Sequence, residues 1–277
     1  MTNNKNEVAV ANKVPFSAYM TSTGVKNRVN SIIGDEKTGS RFISSIISAV
    51  STNPSLAECD NASIVSGALL GEALKLSPSP QLGNFYLVPF NDKDRGKVAT
   101  FQLGWKGYYQ LALRSGQYKK LNVIEIKEGE LISWNPLEEE FKAQIIEDDE
   151  IRQKLPTIGY YAFYENTQGF RKCIYWSKEK MEAHALQYSQ SYKSDKKNKT
   201  SYTFWSKNFD EMAKKTMLRQ LISKYGIMSI DLQTAYESDM AVINEDGSKD
   251  YVDNKDDIPD ANIVEEKPKE VKGLDEI

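Results

Sequence analysis

The chain has 277 residues, 40% of them hydrophobic, with two cysteines, one histidine and a formal net charge of −3. That length suffices for one large domain or two small ones with a sizeable core. No apolar run nears the roughly 20 residues of a membrane span, and the opening MTNNKNEVAVANK lacks the apolar stretch of a secretory signal. Cys59 and Cys173 have no metal-ligand spacing; two isolated cysteines fit packing residues in a reducing, cytoplasmic setting.

The small net charge conceals a segregation. Residues 237–277 hold 14 acidic and 5 basic side chains, whereas residues 1–236 hold 31 basic and 25 acidic. A mildly basic body therefore carries an acidic tail, of the kind that solvates, repels or engages partners.

Residues 1–35 are polar and Asn-rich, and read as a flexible or partly helical arm. Phe42, Ile43, Ile46, Ile47 and Val50 recur at helical spacing, which predicts an amphipathic helix over 37–51. Asn53-Pro54 ends it, and Asp60-Asn61 offers the cap of a second helix over 61–75. SPSPQLGN, 77–84, is a loop by composition. Strands are expected at 85–90 and 98–103 around the turn NDKDRGK, then a helix over 105–115 stopped by Gly116. Residues 121–126 and 131–134 suggest a hairpin around KEGE, and EDDE at 147–150 an exposed acidic stretch. GYYAFYEN-TQG-FRKCIYW is the clearest hairpin. Ser177 can cap a helix over 178–189, a lysine-rich loop follows at 191–201, and a last long helix runs over 202–225. From Asp239 the composition predicts disorder. The order of elements argues an α+β core over 36–236 with antiparallel hairpins packed against helices, and a disordered acidic tail over 237–277.

The stretch from Leu186 to Lys224 carries nine Lys or Arg and three Asp or Glu, interleaved with Tyr188, Tyr192, Tyr202, Phe204, Trp205 and Phe209. Cations for phosphates beside rings that can stack on bases are what single-stranded nucleic acid requires. A solvated helix face and surface loop would look the same. On the last helix, apolar residues change sides: Trp205, Phe209, Met212, Ala213 and Thr216 first, then Leu218, Leu221, Ile222 and Tyr225 on the side where Lys207 and Lys214 began. Lysines lining a groove, or lysines snorkelling along apolar surface, would each give that pattern.

Recognisable catalytic chemistry is missing. With His184 as its one histidine, the chain cannot assemble a multi-histidine zinc site, and a His-bearing triad is badly strained. Gly34-Asp-Glu-Lys-Thr-Gly39-Ser40-Arg41 begins like a phosphate-binding loop but has Ser-Arg where Lys-Ser/Thr is needed, and no apolar strand precedes it. Glu125, Glu128 and Glu130 could contribute to a two-metal site, although a hairpin tip is a poor place to bury them. No cofactor is expected, and binding is favoured over catalysis.

Three segments together resemble the RecT family of phage single-strand annealing proteins: GALLGEALKLSPSPQLGNFYLVPF at 67–90, GWKGYYQLALRSGQY at 104–118, and FWSKNFDEMAKKTMLRQLISKYG at 204–226. With the sequence between them they span roughly 40–235. The resemblance implies an ATP-independent protein that coats single-stranded DNA and anneals it to a complementary strand. It implies an α+β core distantly similar to eukaryotic annealing proteins, assembly into rings or helical filaments, and annealed duplex as the product. It also implies tail-mediated recruitment of a phage exonuclease or the host single-strand-binding protein, in the cytoplasm of a bacterial host and without a membrane. By matching segments, DNA-binding roles fall on Lys106, Tyr108 and Arg114, and on Trp205, Lys207, Lys214, Lys215 and Arg219; Tyr108 and Trp205 read equally as core packing. Lys97 and Gln102 are added from the basic hairpin turn and the polar face that Thr100 shares with Gln102. Lys196, Lys197 and Lys199 are expected to supply general attraction. The competing readings are a metal-dependent phage nuclease using Glu125 or Glu128, and an RNA chaperone or structural phage protein.

Overall fold

The computed structural model describes residues 14–92 and 94–251. Four helices open it: α1 (Phe16–Thr21), α2 (Thr23–Ile33), α3 (Glu36–Ser51) and α4 (Pro54–Ala57). The described part of the expected arm thus supplies two helices. Their Phe16, Met20 and Val29 are buried with Phe42, Ile43, Ile46 and Val50, the apolar stripe of α3. The P-loop-like glycines have structural tasks. Gly34 ends α2 in the left-handed region at φ +79°, and Asp35 then caps α3 by accepting from the Thr38 N–H at 2.8 Å. A Cβ on Gly39 would lie 2.1 Å from Asn30 Oδ1, so this glycine lets α2 and α3 cross closely.

α5 (Asn61–Ala73) is capped by Asp60, which accepts from the Ser63 N–H at 2.8 Å. It is buried almost all round: Ile64, Val65, Ala68 and Leu69 join the helical layer, while Gly67 and Gly71 lie against Leu87 and Phe85. Those two residues belong to β1 (Phe85–Asp92), which pairs antiparallel with β2 (Gly96–Leu103) as expected, from Phe85↔Leu103 to Asp92↔Gly96. α6 (Trp105–Arg114) follows at once.

β3 (Tyr118–Lys127) and β4 (Leu131–Asn135) do not form the expected hairpin. β3 pairs with β6 (Thr157–Asn166), Val123 opposite Ala162, and β6 pairs with β7 (Arg171–Ser177). The physical reason is a shared buried face: Leu121 and Val123 meet Tyr160, Ala162 and Tyr164 in the main core. β4 instead pairs with β5 (Glu140–Ala143), and Trp134 and Phe141 pack on Tyr175. The EDDE stretch starts α7 (Asp149–Lys154), capped by Asp148. Its Arg152 reaches Glu130 at 2.6 Å, and Glu130 is wholly buried, contrary to the expectation for a hairpin tip.

The Lys-rich segment is helical too. α8 (Lys178–Tyr188) is followed by α9 (Gln190–Asn198) where a loop was expected. Ser189 caps α9, and buried Asp195 accepts from Thr200 Oγ1, Ser206 Oγ and the Thr203 N–H, which ties the turn back onto the helix. The expected last helix is broken at Asn208 into α10 (Phe204–Lys207) and α11 (Phe209–Tyr225). α11 is buried on several sides, through Ala213, Met217, Leu218, Leu221 and Ile222, which accounts for its shifting apolar pattern.

The described chain then continues through α12 (Ile230–Ser238), β8 (Ala241–Ile243) and β9 (Lys249–Tyr251). β8 pairs with β2, and the sheet runs β1-β2-β8-β9. Residues 239–251, expected to be disordered, are therefore part of the fold: Ala241, Val242 and Ile243 are a buried apolar strand hidden inside an acidic composition. Residues 252–277 of the expected tail and 1–13 of the expected arm lie outside the described residues. The architecture is α+β with antiparallel sheets, and no described helix is long and apolar enough to cross a membrane.

Candidate nucleic-acid interface

A cleft of about 220 Å³ opens between the outer face of β1–β2, the start of α6, and the α10–α11 junction. Strand register creates one wall. Tyr86 stands opposite Gln102, and Val88 opposite Thr100, so all four share the face turned away from Phe85 and Phe101. Thr100 is itself buried, its hydroxyl donating to the Val88 carbonyl at 3.0 Å, and Gln102 Nε2 donates to Thr100 Oγ1 at 3.3 Å. Two glycines bring the second wall close. A Cβ on Gly104 would lie 2.1 Å from the Gly83 carbonyl oxygen, and one on Gly107 2.1 Å from that of Asn84. The GWKG run thereby lets the loop before β1 lie on the first turn of α6 and sets Trp105 at the cleft. Phe204 of α10 closes the third side, its ring centroid 6.0 Å from that of Tyr86.

Two cations lie against Trp105. Lys106 is exposed, its Nζ 5.8 Å from the Trp105 ring centre, and Lys207 is exposed at the end of α10. Lys214 Nζ lies 5.1 Å over the same ring, but it is paired with Glu125 at 3.2 Å and with Glu211. Burial disfavours its charge, and the two carboxylates more than compensate, so its pKa is raised.

Beneath the cleft lies a second arrangement, centred on the wholly buried Asp239 side chain. Its carboxylate accepts from Lys215 Nζ at 2.8 Å, Arg219 Nη1 at 2.8 Å, the Leu103 N–H at 2.9 Å and the Tyr108 hydroxyl at 3.3 Å. Burial pushes the Tyr108 phenol well up, with the neighbouring carboxylate adding to it. Burial lowers the Lys215 pKa, against the opposing pull of Asp239. The Arg219 guanidinium also lies 4.3 Å from the Tyr236 ring centre. This network joins β2, α6, α11 and the α12–β8 junction.

The structure therefore separates the sequence-derived candidates. Gln102 and Lys215 line the cleft, Lys106 adjoins it beside Trp105, Lys207 is exposed next in the chain to the lining residue Asn208, and Lys214 lies over the Trp105 ring. Tyr108 is fully buried, and Lys215 and Arg219 are bound to Asp239, so these three hold the fold together. Trp205 is buried against Tyr192 and Phe209 rather than on the cleft wall. Arg114 donates to the Leu74 and Lys75 carbonyls, closing the end of α5. Lys97 pairs with Glu58 near the other end of the hairpin. Of the loop cations, Lys196 pairs with Glu182 at 2.7 Å. Sequence reasoning missed Tyr86, Trp105 and Glu211 as cleft residues and Asp239 as their support. Strand alternation from Phe85 carries the signal for Tyr86, since Tyr86 must face opposite to Phe85.

Two of the three carboxylates weighed for a metal site are engaged elsewhere, and Glu128 is exposed at the turn after β3. Glu125 pairs with Lys127 at 3.1 Å as well as with Lys214, and Glu130 with Arg152. Among the described residues no group of three or more His, Cys, Asp or Glu side chains is placed to hold a metal.

Comparison with known proteins converges. The family model described as "RecT family" matches residues 40–258. A Bacillus subtilis (strain 168) protein, "Uncharacterized protein YqaK", is 37% identical over 253 residues, covering 91% of this chain and 80% of that protein. "Protein RecT" of Escherichia coli (strain K12) is 28% identical over 239 residues, covering 85% and 84% respectively.

Proposed function

The chain belongs to the RecT family of phage-type recombination and strand-annealing proteins, and on that premise we propose that it binds single-stranded DNA in the cleft between β1–β2, α6 and α10–α11. The observation that carries this reading is the clustering of Tyr86, Trp105 and Phe204 in one cleft, with exposed Lys106 beside Trp105 and exposed Lys207 next in the chain to the lining residue Asn208. Phosphates engage the two ammonium groups with little regard to sequence. The rings support sugar or base faces from one side, which leaves base edges free to test a second strand. Pairing is its own source of free energy, so no nucleotide hydrolysis is invoked; Gly34 and Gly39, the glycines of the P-loop-like run, have structural duties instead. Subunits join head to tail, in a ring or helical filament, so that successive clefts follow one strand. The acidic segment beyond Tyr251 recruits partners, namely an exonuclease and the host single-strand-binding protein, in the bacterial cytoplasm.

Against the nuclease reading stands the pairing of Glu125 and Glu130 with lysine and arginine. The test is annealing of a labelled strand to its complement, without nucleotide, by the parent protein and by a Lys106→Ala/Lys207→Ala variant. The parent should accelerate pairing. The variant should bind unrelated sequences equally weakly, with a salt dependence flatter by about 0.7 per lost phosphate contact. A folded variant with unchanged affinity and salt dependence would place the strand elsewhere.

A further inference from the structure

One residue of the cleft is at odds with a site for a polyanion. Glu211, in the first turn of α11, is the one carboxylate among the described residues that line the cleft, and its side chain is 52% exposed. It accepts from Trp105 Nε1 and pairs with Lys214 Nζ three residues on. Lys214 is only 15% exposed and is held from its other side by Glu125, so its charge is neutralised twice. The preceding Asp210 points elsewhere, accepting from the Tyr160 hydroxyl at 2.6 Å. An acidic first turn is ordinary helix-dipole chemistry. That account leaves unexplained why the Glu211 side chain crosses to an indole of α6 and places its charge where phosphate would have to pass.

We propose that Glu211 is a displaceable internal counter-charge. It occupies Lys214 while the cleft is empty; strand phosphate takes its place on the ammonium, and the exchange frees the Trp105 indole to adjust to the strand. The inference rests on the cleft being the strand site. It makes each subunit's grip an exchange of anions rather than the gain of a new ion pair. Binding per subunit is then weak and reversible, as suits a protein that must release a paired product, and a long strand is retained through many subunits.

Glu211→Gln tests this, because glutamine keeps an acceptor for Trp105 and removes only the charge. Binding of a labelled oligothymidylate to the full chain is measured by anisotropy across a salt series. Removing one like charge beside a phosphate should tighten binding by at least about fivefold at low salt. The salt dependence should steepen by about 0.7, one further single-strand phosphate contact. In a Lys214→Met background, where Glu125 keeps Lys127 as partner, the same change frees no ammonium, so it should relieve repulsion without steepening the salt dependence. Affinity within twofold of the parent, or an equal steepening in the Lys214→Met background, would overturn the proposal. The Lys106→Ala/Lys207→Ala variant separates the failures. If it is weakened while Glu211→Gln is unchanged, the counter-charge idea alone falls. If it binds like the parent, the strand is not in this cleft and both readings fall.

Discussion

Asp239→Ala should be far more damaging than its place at the edge of an acidic tail suggests. The carboxylate is wholly buried and receives four donors from three other parts of the chain. Removing it leaves the Lys215 ammonium, 10% exposed, without its counter-charge, and the Leu103 N–H and Tyr108 hydroxyl without their acceptor. Breaking a buried ion pair by deleting one partner costs about 3–5 kcal/mol. A domain of this size has about 5–15 kcal/mol in hand, and loses about 2–4 °C of melting temperature per kcal/mol. Asp239→Ala should therefore melt about 6–20 °C below the parent in calorimetry or a urea titration. Lys215→Met should cost less, because Asp239 keeps Arg219, Leu103 and Tyr108, and the methionine fills the space of the lysine stem. Adding Lys215→Met to Asp239→Ala should recover part of the loss, since the stranded charge goes with it. An Asp239→Ala protein that melts within about 2 °C of the parent would refute the reasoning. So would a double variant whose losses simply add.

Two further outcomes follow from the same structure. Truncation after Tyr251 should leave a folded protein that anneals naked strands and loses only partner-dependent activity; truncation after Tyr236 removes Asp239 and β8 and should abolish cooperative unfolding. On the acid side, Glu130 feels burial pushing its pKa up, but Arg152 and the Lys127 and Ile146 N–H groups outweigh that and hold it down. A carboxyl depressed in the folded state contributes stability that is whole above its unfolded pKa, about 4.3, and is lost as pH falls through the lower folded value. Glu130→Gln should accordingly flatten the acid limb of a stability–pH curve, measured by urea midpoints from pH 6 to pH 3.

Elements with a local signal were legible. Asp60 with the apolar positions after it defined α5, and the TQG turn between aromatic runs defined β6–β7. What escaped depended on distant pairing. Nothing near residues 121–134 says that β3 must pair with β6 across more than thirty residues rather than with β4; only the jointly buried face decides it. β8 was hidden for a related reason. Three apolar residues, Ala241–Ile243, are too few to outweigh an acidic neighbourhood, and they become a strand only because the edge of β2 awaits them. The cationic character of α11 was legible, but the pairing of its Lys215 and Arg219 with Asp239 was not, because a lysine bound to a buried carboxylate looks like any other lysine until the carboxylate is located.

The pairing of these cations with carboxylates recasts the basic segment. Of the cations read as strand contacts on α11, Lys214 faces Glu125 and Glu211, and Lys215 and Arg219 face Asp239. They stiffen the floor and one wall of the cleft, and hold Trp105 and β2 in place. Of the cations read as strand contacts, those left exposed near the cleft are Lys106, beside Trp105, and Lys207, next in the chain to the lining residue Asn208. At the proposed strand site two such phosphate contacts, or three once Glu211 yields Lys214, would give little affinity at physiological salt, since each contributes through the release of its counterions. If the strand lies in the proposed cleft, a single subunit would be a poor holder of DNA, and a row of subunits sharing one strand would multiply those contacts without any new chemistry. On that proposal, weak and sequence-blind contact at each subunit would also let a mismatched second strand leave, so discrimination would stay with base pairing rather than with the protein.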